Sequence, residues 1–412
     1  MNLQDLLSYA LDKLTSHGID KAQGVISEGE KKELNIESGK ISLFRTTFQN
    51  SLNLEAIKDC KQSSISINKT DKDSMDKAIE TLIENVKSSE IDKANDISEK
   101  QPEESFSKGN MEANLDSMYD KLNSFNSYVK DNHPNIIMEA AILDHVSSKS
   151  RIMNTNGVKF KINKGSYNFS PMFTAKEGTK TSSFNYTYFS ALELNHEIKD
   201  RGYVSELLRQ SEEQLNTLPV GKKFVGQILV TPHCLSDFLS FIEYSIGDNA
   251  LVSGASIYKD KVGKQVTDSR LTLSSLPVSS DLDCGYFVNS DAYKAENIDI
   301  IKDGILNTHL LSIYGANKTG GKRVSNDGGA HVIPKGSKSL NEMIKDIDQG
   351  VLLCRFSGGS PSDNGDFSGV AKNSYYIENG EIKFPIAETM ISGNIAQMFM
   401  NIGDISNENI DF

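Results

Sequence analysis

The sequence lacks the features that would place it in a membrane or secreted class. None of its 412 residues is tryptophan, only nine are proline, and no apolar run approaches the roughly 18 residues that a membrane-spanning helix needs. The first segment, MNLQDLLSYALDKLTSHG, carries two acidic residues and the pattern of an amphipathic helix, which differs from a secretory signal peptide. We therefore expect a cytoplasmic protein that does not bind a membrane.

Cysteine is scarce and dispersed. Cys60, Cys234, Cys284 and Cys354 are far apart and form no CxxC pair, so neither a zinc ribbon nor a dithiol redox motif is expected. Isolated cysteines of this kind are typical of buried thiols. We expect the four to be reduced and mostly buried.

Positive charge is also in deficit. The chain has 44 Lys and Arg against 56 Asp and Glu, a formal net charge of −12, and its lysines are scattered among acidic residues. Nucleic-acid binding depends on clustered basic side chains that contact phosphates. No nucleic-acid partner is therefore expected.

The order of sequence patterns predicts an α+β protein with antiparallel or mixed sheets and flanking helices. A helix, a β-meander and a second helix predict an N-terminal α/β unit over residues 1–87. Residues 88–110 are charged and serine-rich, which predicts an exposed linker. A strand-rich central region over 111–217 and a β-rich C-terminal domain over 218–412 complete the prediction.

Three dipeptides predict tight turns between strands. Asp303-Gly304 and Asn379-Gly380 tolerate positive φ at both residues, which suits two-residue β-hairpins. Asn156-Gly157 predicts a turn in the central region.

A helix is predicted over residues 232–246, with Thr231 as N-cap, Pro232 in the first turn and Gly247 at the C′ position. Ile242 lies at the centre of its apolar stripe, and Glu243 lies at the stripe's edge. Glu243 is either a boundary residue with a hydrogen-bond partner or part of a metal site. Ile242 and Gly247 offer no donor to a metal, and one carboxylate cannot hold Zn²⁺, so no metal ligands are predicted.

Two glycine-rich segments are candidates for peptide binding, since glycine lets a bound chain approach the backbone closely. The candidate residues are Asn326, Gly328, Gly329 and His331 in SNDGGAHVI, and Gly358 and Gly359 in FSGGSPSDNGDFSG. The alternative for the first segment is a tight turn with a surface histidine. The second lacks the lysine and helix of a phosphate-binding loop. A metal-free hydrolase that uses His331 with Cys354 or a nearby serine is a further alternative, although no catalytic residue is predicted.

The last third of the chain carries a specific set of motifs. Residues 350–402 contain GDFS at 365–368, ENGEI at 378–382, Pro385, Gly393-Asn394 and Asn401-Ile402. This arrangement resembles the end of the TldD/PmbA family, which is also described as modulators of DNA gyrase. Weaker similarity extends over nearly the whole chain.

The resemblance implies which kind of family member this is. TldD-like subunits carry HExxxH on a helix and resemble zinc-dependent peptidases, whereas PmbA (TldE)-like subunits lack it. Here the motif's glutamate falls on Glu243 as a vestigial position, with Ile242 and Gly247 in place of the histidines. The family's acidic FDDEG stretch is also changed, since Phe287 is followed by Val288, Asn289 and Ser290.

The resemblance therefore implies a PmbA-like, non-catalytic subunit or homologue of a cytoplasmic metalloprotease system that processes unfolded peptides. Its expected partners are extended peptide and either a TldD-like subunit or a second copy, and no cofactor is expected. Two alternatives remain: an active peptidase with an unrecognised site, and a scaffold without peptide affinity.

Overall fold

The computed structural model describes residues 2–412. Its nine α-helices in this range are α1 (Leu3–Ser16), α2 (Lys72–Ser88), α3 (Leu115–Asn132), α4 (Val204–Glu213), α5 (Pro232–Ile246), α6 (Asp248–Ser253), α7 (Ile313–Thr319), α8 (Leu340–Lys345) and α9 (Ile395–Met400). Short 3₁₀ helices span Ile198–Asp200 and Gln214–Asn216.

The strands of the first half are β1 (Lys21–Glu37), β2 (Lys40–Lys58), β3 (Lys61–Ile67), β4 (Glu104–Lys108), β5 (Ile136–Asn154), β6 (Lys159–Glu177), β7 (Lys180–Thr181), β8 (Asn185–Tyr186) and β9 (Phe189–Ala191). Those of the second half are β10 (Gln227–Val230), β11 (Leu273–Ser275), β12 (Ile298–Lys302), β13 (Ile305–Leu306), β14 (His331–Val332), β15 (Gln349–Leu353), β16 (Arg355–Gly358), β17 (Asp366–Lys372), β18 (Tyr375–Glu378), β19 (Glu381–Pro385) and β20 (Thr389–Asn394).

One large sheet spans the first half of the chain. Its strand order is β3-β2-β1-β5-β6-β4, and β7, β8 and β9 also pair with β6. The antiparallel pair β1–β2 lies within the predicted 1–87 unit, and the long antiparallel pair β1–β5 joins that unit to the predicted 111–217 region. These two predicted regions thus share a sheet, and the boundary between them stays a prediction.

Helices cover this sheet in two groups. The apolar stripes of α1 and α2 pack on one half, where Leu7, Leu14, Ile79 and Leu82 are fully buried. The stripe of α3 packs on the other half around Phe125 and Phe169. Amphipathic helices on a sheet with one apolar face form such a layer because each buries the other's apolar side.

The expectation of an exposed linker over residues 88–110 is wrong for its middle. Ala94, Ile97 and Ser98 are buried, and Asn154 on β5 donates to the carbonyl oxygen of Ser98 at 2.8 Å. The segment then forms β4, which pairs in parallel with β6. The composition of residues 88–110 does not predict these contacts, because the segment is held in place by hydrogen bonds more than by apolar side chains.

The second half contains three small sheets around α5. Their orders are β10-β15-β18-β19, β13-β12-β11-β14 and β16-β17-β20. Phe238, Ile242 and Ile246 of α5 lie in the apolar cluster that joins these sheets. The predicted α+β class, with antiparallel and mixed sheets, is therefore confirmed.

The predicted turns are confirmed. Asp303 and Gly304 have φ of 49° and 80°, and Asn379 and Gly380 have φ of 52° and 76°, so both hairpins use left-handed residue pairs. Gly157 also lies in the left-handed region, at φ 103°, between β5 and β6.

Two further observations concern the chain as a whole. The four cysteines are free, with Cys234 and Cys354 buried and Cys60 and Cys284 half-buried. None of the helices within residues 2–412 combines the length and the apolar character needed to cross a bilayer.

Candidate functional site

The candidate site is built around Glu243, near the end of α5. Helix α5 begins after Thr231, whose backbone is extended as an N-cap requires, although its side chain caps no helix N–H. Ile242 is 1% exposed within the core, and Glu243 beside it keeps 25% of its side chain exposed. The position at the edge of the apolar stripe is the one that the sequence predicts.

Glu243 is held by two donors at one oxygen. Its Oε1 accepts a hydrogen bond from Nε2 of His331 at 2.7 Å and another from the backbone N–H of Gly329 at 2.8 Å. Burial alone would raise the pKa of the Glu243 carboxyl, but the hydrogen bonds from His331 and Gly329 outweigh it and hold that pKa below its ordinary value. Glu243 therefore sits here as a carboxylate.

The loop that supplies these donors needs glycine. Gly328 and Gly329 have φ of 81° and 65°, and Ala330 follows at 43°. A Cβ on Gly328 would lie 2.2 Å from Oε1 of Glu243, whereas a Cβ on Gly329 would meet open space. Gly328 is thus needed for two reasons: it adopts the left-handed backbone, and its lack of a side chain lets the Glu243 carboxylate approach the loop.

The loop's polar groups are bonded within the chain. Asn326, 2% exposed, donates to the carbonyl oxygens of Glu296 (2.7 Å) and Ser275 (3.3 Å), and its Oδ1 accepts from the N–H of Gly328 at 2.8 Å. The Ser275 hydroxyl donates to the carbonyl oxygen of Gly329 at 2.7 Å.

Tyr286 is a residue of this site that the sequence analysis did not single out. Its hydroxyl donates to the carbonyl oxygen of Gly328 at 3.1 Å and accepts from the N–H of Asp327 at 2.6 Å. Burial, with the negative charges of Asp327 and Glu243, raises the pKa of Tyr286 to about 12, so the phenol keeps the proton that it donates. Tyr286 directly precedes Phe287, which the sequence analysis matched to the family's acidic stretch, but only the tertiary fold brings the Tyr286 hydroxyl to the loop.

The structure brings together four of the six candidate peptide-binding residues. Asn326, Gly328, Gly329 and His331 lie with Glu243. Gly358, at the end of β16, packs against Phe356 and the carbonyl oxygen of Ser368, and a side chain at Gly359 would meet open space. The second glycine segment thus belongs to the β16–β17 hairpin.

The residues at the metal-ligand positions of a zinc peptidase, Ile242 and Gly247, have structural roles here. Ile242 is part of the core, and Gly247 joins α5 to α6. Gly247 has φ −88° and ψ 172°, so it lacks the left-handed backbone common for a C′ glycine: the chain is extended there because a new helix begins at once. Over residues 2–412, no three His, Cys, Asp or Glu side chains are grouped to hold a metal ion.

The hydrolase alternative with Cys354 finds no support in the geometry. Cys354 is 1% exposed in an apolar cluster with Tyr375 and Ile377, and burial raises the pKa of its thiol well above its ordinary value. A thiol that stays protonated is a poor nucleophile. His331, its supposed base, is bonded to Glu243.

The C-terminal part of the chain is similar in sequence to a known domain. Residues 225–411 match the model described as PmbA/TldA metallopeptidase C-terminal domain. The predicted resemblance to the TldD/PmbA family is confirmed.

Individual relatives agree with this assignment. The chain is 33% identical over 166 residues to metalloprotease PmbA of Escherichia coli O157:H7, covering 38% of this chain and 37% of that protein. It is 25% identical over 280 residues to a metalloprotease PmbA homolog of Haemophilus influenzae, covering 62% and 61%. The matches thus span less than two thirds of these two curated relatives.

Solved structures share the fold across almost the full chain. TldE from Thermococcus kodakarensis superposes with a TM-score of 0.85 at 18% identity, covering 98% of this chain and 94% of that chain. A proposed modulator of DNA gyrase from Bacteroides thetaiotaomicron gives 0.82 at 21% identity, covering 96% and 92%. These likenesses establish the architecture.

Proposed function

We propose that this chain is a non-catalytic, PmbA-like subunit of a cytoplasmic peptide-processing protease system, and that it binds extended, unfolded peptide beside Glu243. The observation that carries the proposal is the state of Glu243. In a zinc peptidase this glutamate would face a metal-bound water, whereas here its Oε1 is taken by His331 and Gly329.

The absence of catalysis follows from the ligand chemistry. Zn²⁺ in a catalytic site takes three protein ligands and a water. The two positions that would supply histidines hold a core isoleucine and a glycine. Glu243 and His331 together offer too few ligands for a zinc ion, and the two side chains are already hydrogen-bonded to each other.

Peptide binding is assigned to the edge of β14. This strand ends the sheet β13-β12-β11-β14, and its neighbour β11 lies on one side only. The N–H of Leu276 donates to the carbonyl oxygen of Ala330, so by strand alternation the backbone groups of His331 point away from β11. An extended peptide could pair with this edge as an added strand.

This arrangement changes the role of the glycines. The N–H and carbonyl groups of Gly328 and Gly329 are occupied within the chain, so they position the loop. His331 is the candidate that both contacts Glu243 and offers backbone groups to a peptide.

The relatives named metalloprotease support membership of a protease system. We assign the catalytic step to a TldD-like subunit that carries the HExxxH motif absent here. Pairing with such a subunit would bring peptide bound at β14 to a metal site on the other chain.

Metal content and cleavage test the first half of the proposal. Purified protein incubated with zinc and then dialysed should retain far less than one zinc per chain, and it should leave carboxymethylated α-lactalbumin uncut. One tightly held zinc per chain, lost in Glu243→Gln, together with product peptides would overturn it. That result would favour an active peptidase.

Peptide binding is tested separately with a fluorescein-labelled, unstructured decapeptide and fluorescence anisotropy. A matched peptide with N-methylated central amides cannot donate backbone hydrogen bonds, and it should bind at least about tenfold more weakly because strand pairing is lost. Equal binding of the two peptides, or binding of neither, would contradict the edge-strand assignment. The second outcome would favour a scaffold without peptide affinity.

A further inference from the structure

An irregular loop over residues 277–286 connects β11 to Tyr286. It contains no helix or strand, and the N–H of Tyr286 closes its neck by donating to the carbonyl oxygen of Pro277 at 3.1 Å. Gly285 lies at this neck with φ 120°, and a Cβ there would lie 2.2 Å from the same oxygen. Both ends of the loop lie at the proposed peptide site, because β11 pairs with β14 and Tyr286 contacts Gly328. The conformation of the 277–286 loop therefore affects that site.

Lys108, at the end of β4, holds this loop against the large sheet. Its Nζ donates to three carbonyl oxygens of the loop, those of Leu282 at 2.5 Å, Cys284 at 3.2 Å and Ser279 at 3.3 Å. An ammonium group has three donors and no acceptor, so these three oxygens use its whole hydrogen-bonding capacity. Lys108 thus fixes three separate points of a backbone that has no regular structure of its own.

A second lysine contacts the loop from the neighbouring strand. Lys164 on β6 is the register partner of Lys108, and its Nζ donates to the carbonyl oxygen of Gly285 at 2.7 Å. Burial, with the positive charge of Lys108, lowers the pKa of Lys164. Among residues 2–412, no carboxylate forms a salt bridge with either ammonium group, and their acceptors are the loop carbonyl oxygens. Two adjacent, half-buried positive charges need such electron-rich partners to offset their repulsion and desolvation.

We propose that Lys108 is a positioning residue for the peptide site, where its ammonium group acts as a tethered cation that fixes the 277–286 loop. The inference rests on the proposed function, and it names the residue that keeps the site in its binding geometry. The effect passes through Tyr286, whose hydroxyl donates to the carbonyl oxygen of Gly328 at 3.1 Å and accepts from the N–H of Asp327 at 2.6 Å. Gly329, the next residue, donates to Glu243.

The positive charge of Lys108 is the feature that the loop requires. Carbonyl oxygens are the negative ends of dipoles, so three that converge on one point repel each other unless a cation lies between them. In Lys108→Met the side chain keeps its length but loses the charge and all three donors. The carbonyl oxygens of the loop should then turn toward water, which releases Tyr286 from its position.

Loss of this contact should loosen the loop without separating the two halves of the chain. Phe287 would remain stacked on Phe106, with ring centroids 5.0 Å apart, and Gln101 would still donate to the carbonyl oxygen of Ala292. Lys108 is therefore open to substitution in the folded protein.

Amide hydrogen exchange, followed by mass spectrometry, measures the positioning without any peptide ligand. In Lys108→Met the amides of Gly328 and Gly329 should exchange at least about tenfold faster than in the parent chain, because hydrogen bonds to a charged donor are lost. The amides of β1 and β5 should be unchanged. Lys161→Ala is the matched control, since Lys161 also lies on β6 but pairs with Glu103 at 3.3 Å, away from the loop.

Two results of this experiment would overturn the role of Lys108. One is parental exchange at both glycines in Lys108→Met, and the other is an equal acceleration at the glycines and throughout β1 and β5, which indicates general destabilisation. The experiment also separates the two proposals. A parent chain that binds no peptide would overturn the proposed function, and hydrogen exchange would still decide the role of Lys108.

Chemical rescue tests the role of the charge. Lys108→Ala removes three carbons and the ammonium group, which propylammonium replaces in full and 1-propanol replaces without the charge. The dissociation constant of the fluorescein-labelled decapeptide should rise roughly tenfold in Lys108→Ala. Propylammonium chloride should restore it toward the parental value, whereas 1-propanol with an equal concentration of sodium chloride should not. Parental affinity in Lys108→Ala, rescue by neither compound, or equal rescue by both would overturn the proposal.

Discussion

Gly328 shows how a single residue sets the geometry of the site. It supplies a left-handed backbone and leaves the space into which Oε1 of Glu243 fits. Its neighbour Gly329 has a similar φ but faces open space. Both glycines have a left-handed backbone, but only Gly328 contacts Glu243. Substitutions at the two positions therefore distinguish the cost of backbone strain from the cost of losing that contact.

Alanine substitutions at the two positions should therefore differ. Gly329→Ala should lower the free energy of unfolding by about 1–2 kcal/mol, the cost of a left-handed non-glycine residue. Gly328→Ala should cost about 2–4 kcal/mol, because the added methyl also displaces the Glu243 carboxylate from its donors. Urea unfolding at pH 7 measures both, and equal losses would contradict the contact between Gly328 and Glu243.

At the scale of elements, local sequence patterns predict the helices and turns that local interactions stabilise. The bounds of α5 and the two left-handed hairpins follow from capping residues, the apolar stripe and the Asp-Gly and Asn-Gly dipeptides. Tyr286 and the pairing of β1 with β5 depend on contacts between distant segments, and neither leaves a periodic signal. The extended backbone of Gly247 was not predicted, because no residue pattern indicates that α6 begins directly after α5.

The geometry of α5 gives a prediction about restoring histidines at the vestigial positions. Ile242→His should lower the free energy of unfolding by about 1–3 kcal/mol, since an imidazole without a partner would be buried in the core. Gly247→His should cost less, because the backbone at Gly247 is extended and a Cβ there would approach only the carbonyl oxygens of Glu243, at 3.3 Å, and Tyr244, at 3.5 Å.

The double variant should still lack zinc-dependent cleavage of carboxymethylated α-lactalbumin. A third ligand and the partners that orient the ligands are absent, and Glu243 remains bonded to His331. Zinc-dependent product formation by the double variant would show that the rest of a catalytic site is intact.

At the scale of the molecule, the site depends on contacts between the two halves of the chain. Phe287 stacks on Phe106 of β4, with ring centroids 5.0 Å apart, and Gln101 donates to the carbonyl oxygen of Ala292 at 2.8 Å. Tyr286, which holds the Gly328 loop, is the residue before Phe287. The segment over residues 88–110 therefore supports the site indirectly, a role that its linker-like composition concealed.

Limited proteolysis should reflect this organisation. Residues 221–226 have no regular structure, and Val225 is fully exposed, so trypsin should cut first at Lys222 or Lys223. Lys93 and Lys100 lie in the segment with buried Ala94, Ile97 and Ser98 and should be protected. Mass spectrometry of early fragments measures the order, and initial cleavage at Lys93 or Lys100 would contradict the docked segment.

Glu55 and Asp291 place two acidic side chains where the halves meet. Glu55 lies on β2 of the large sheet, and Asp291, in the loop that follows Phe287, accepts the N–H of Ile313 at 2.8 Å. Burial, with the charge of Asp291 nearby, raises the pKa of Glu55 to about 7. The folded protein thus holds this proton more strongly than the unfolded chain, in which a glutamate has a pKa of about 4.3.

The sign of the pH dependence follows from this difference. Because the folded state binds the proton more tightly, the free energy of unfolding should fall as pH rises from about 4.3 to about 7. Glu55→Gln stays neutral, so at pH 8 it should be more stable than the parent by about 1–3 kcal/mol, a range reduced for the partial exposure of Glu55. At pH 4 the two proteins should unfold alike. Glu37→Gln, at the exposed end of β1, is the control and should follow the parent throughout. Urea unfolding at both pH values decides the matter: a stabilisation by Glu55→Gln that is equal at pH 4 and pH 8 would show that proton binding at Glu55 is not its cause.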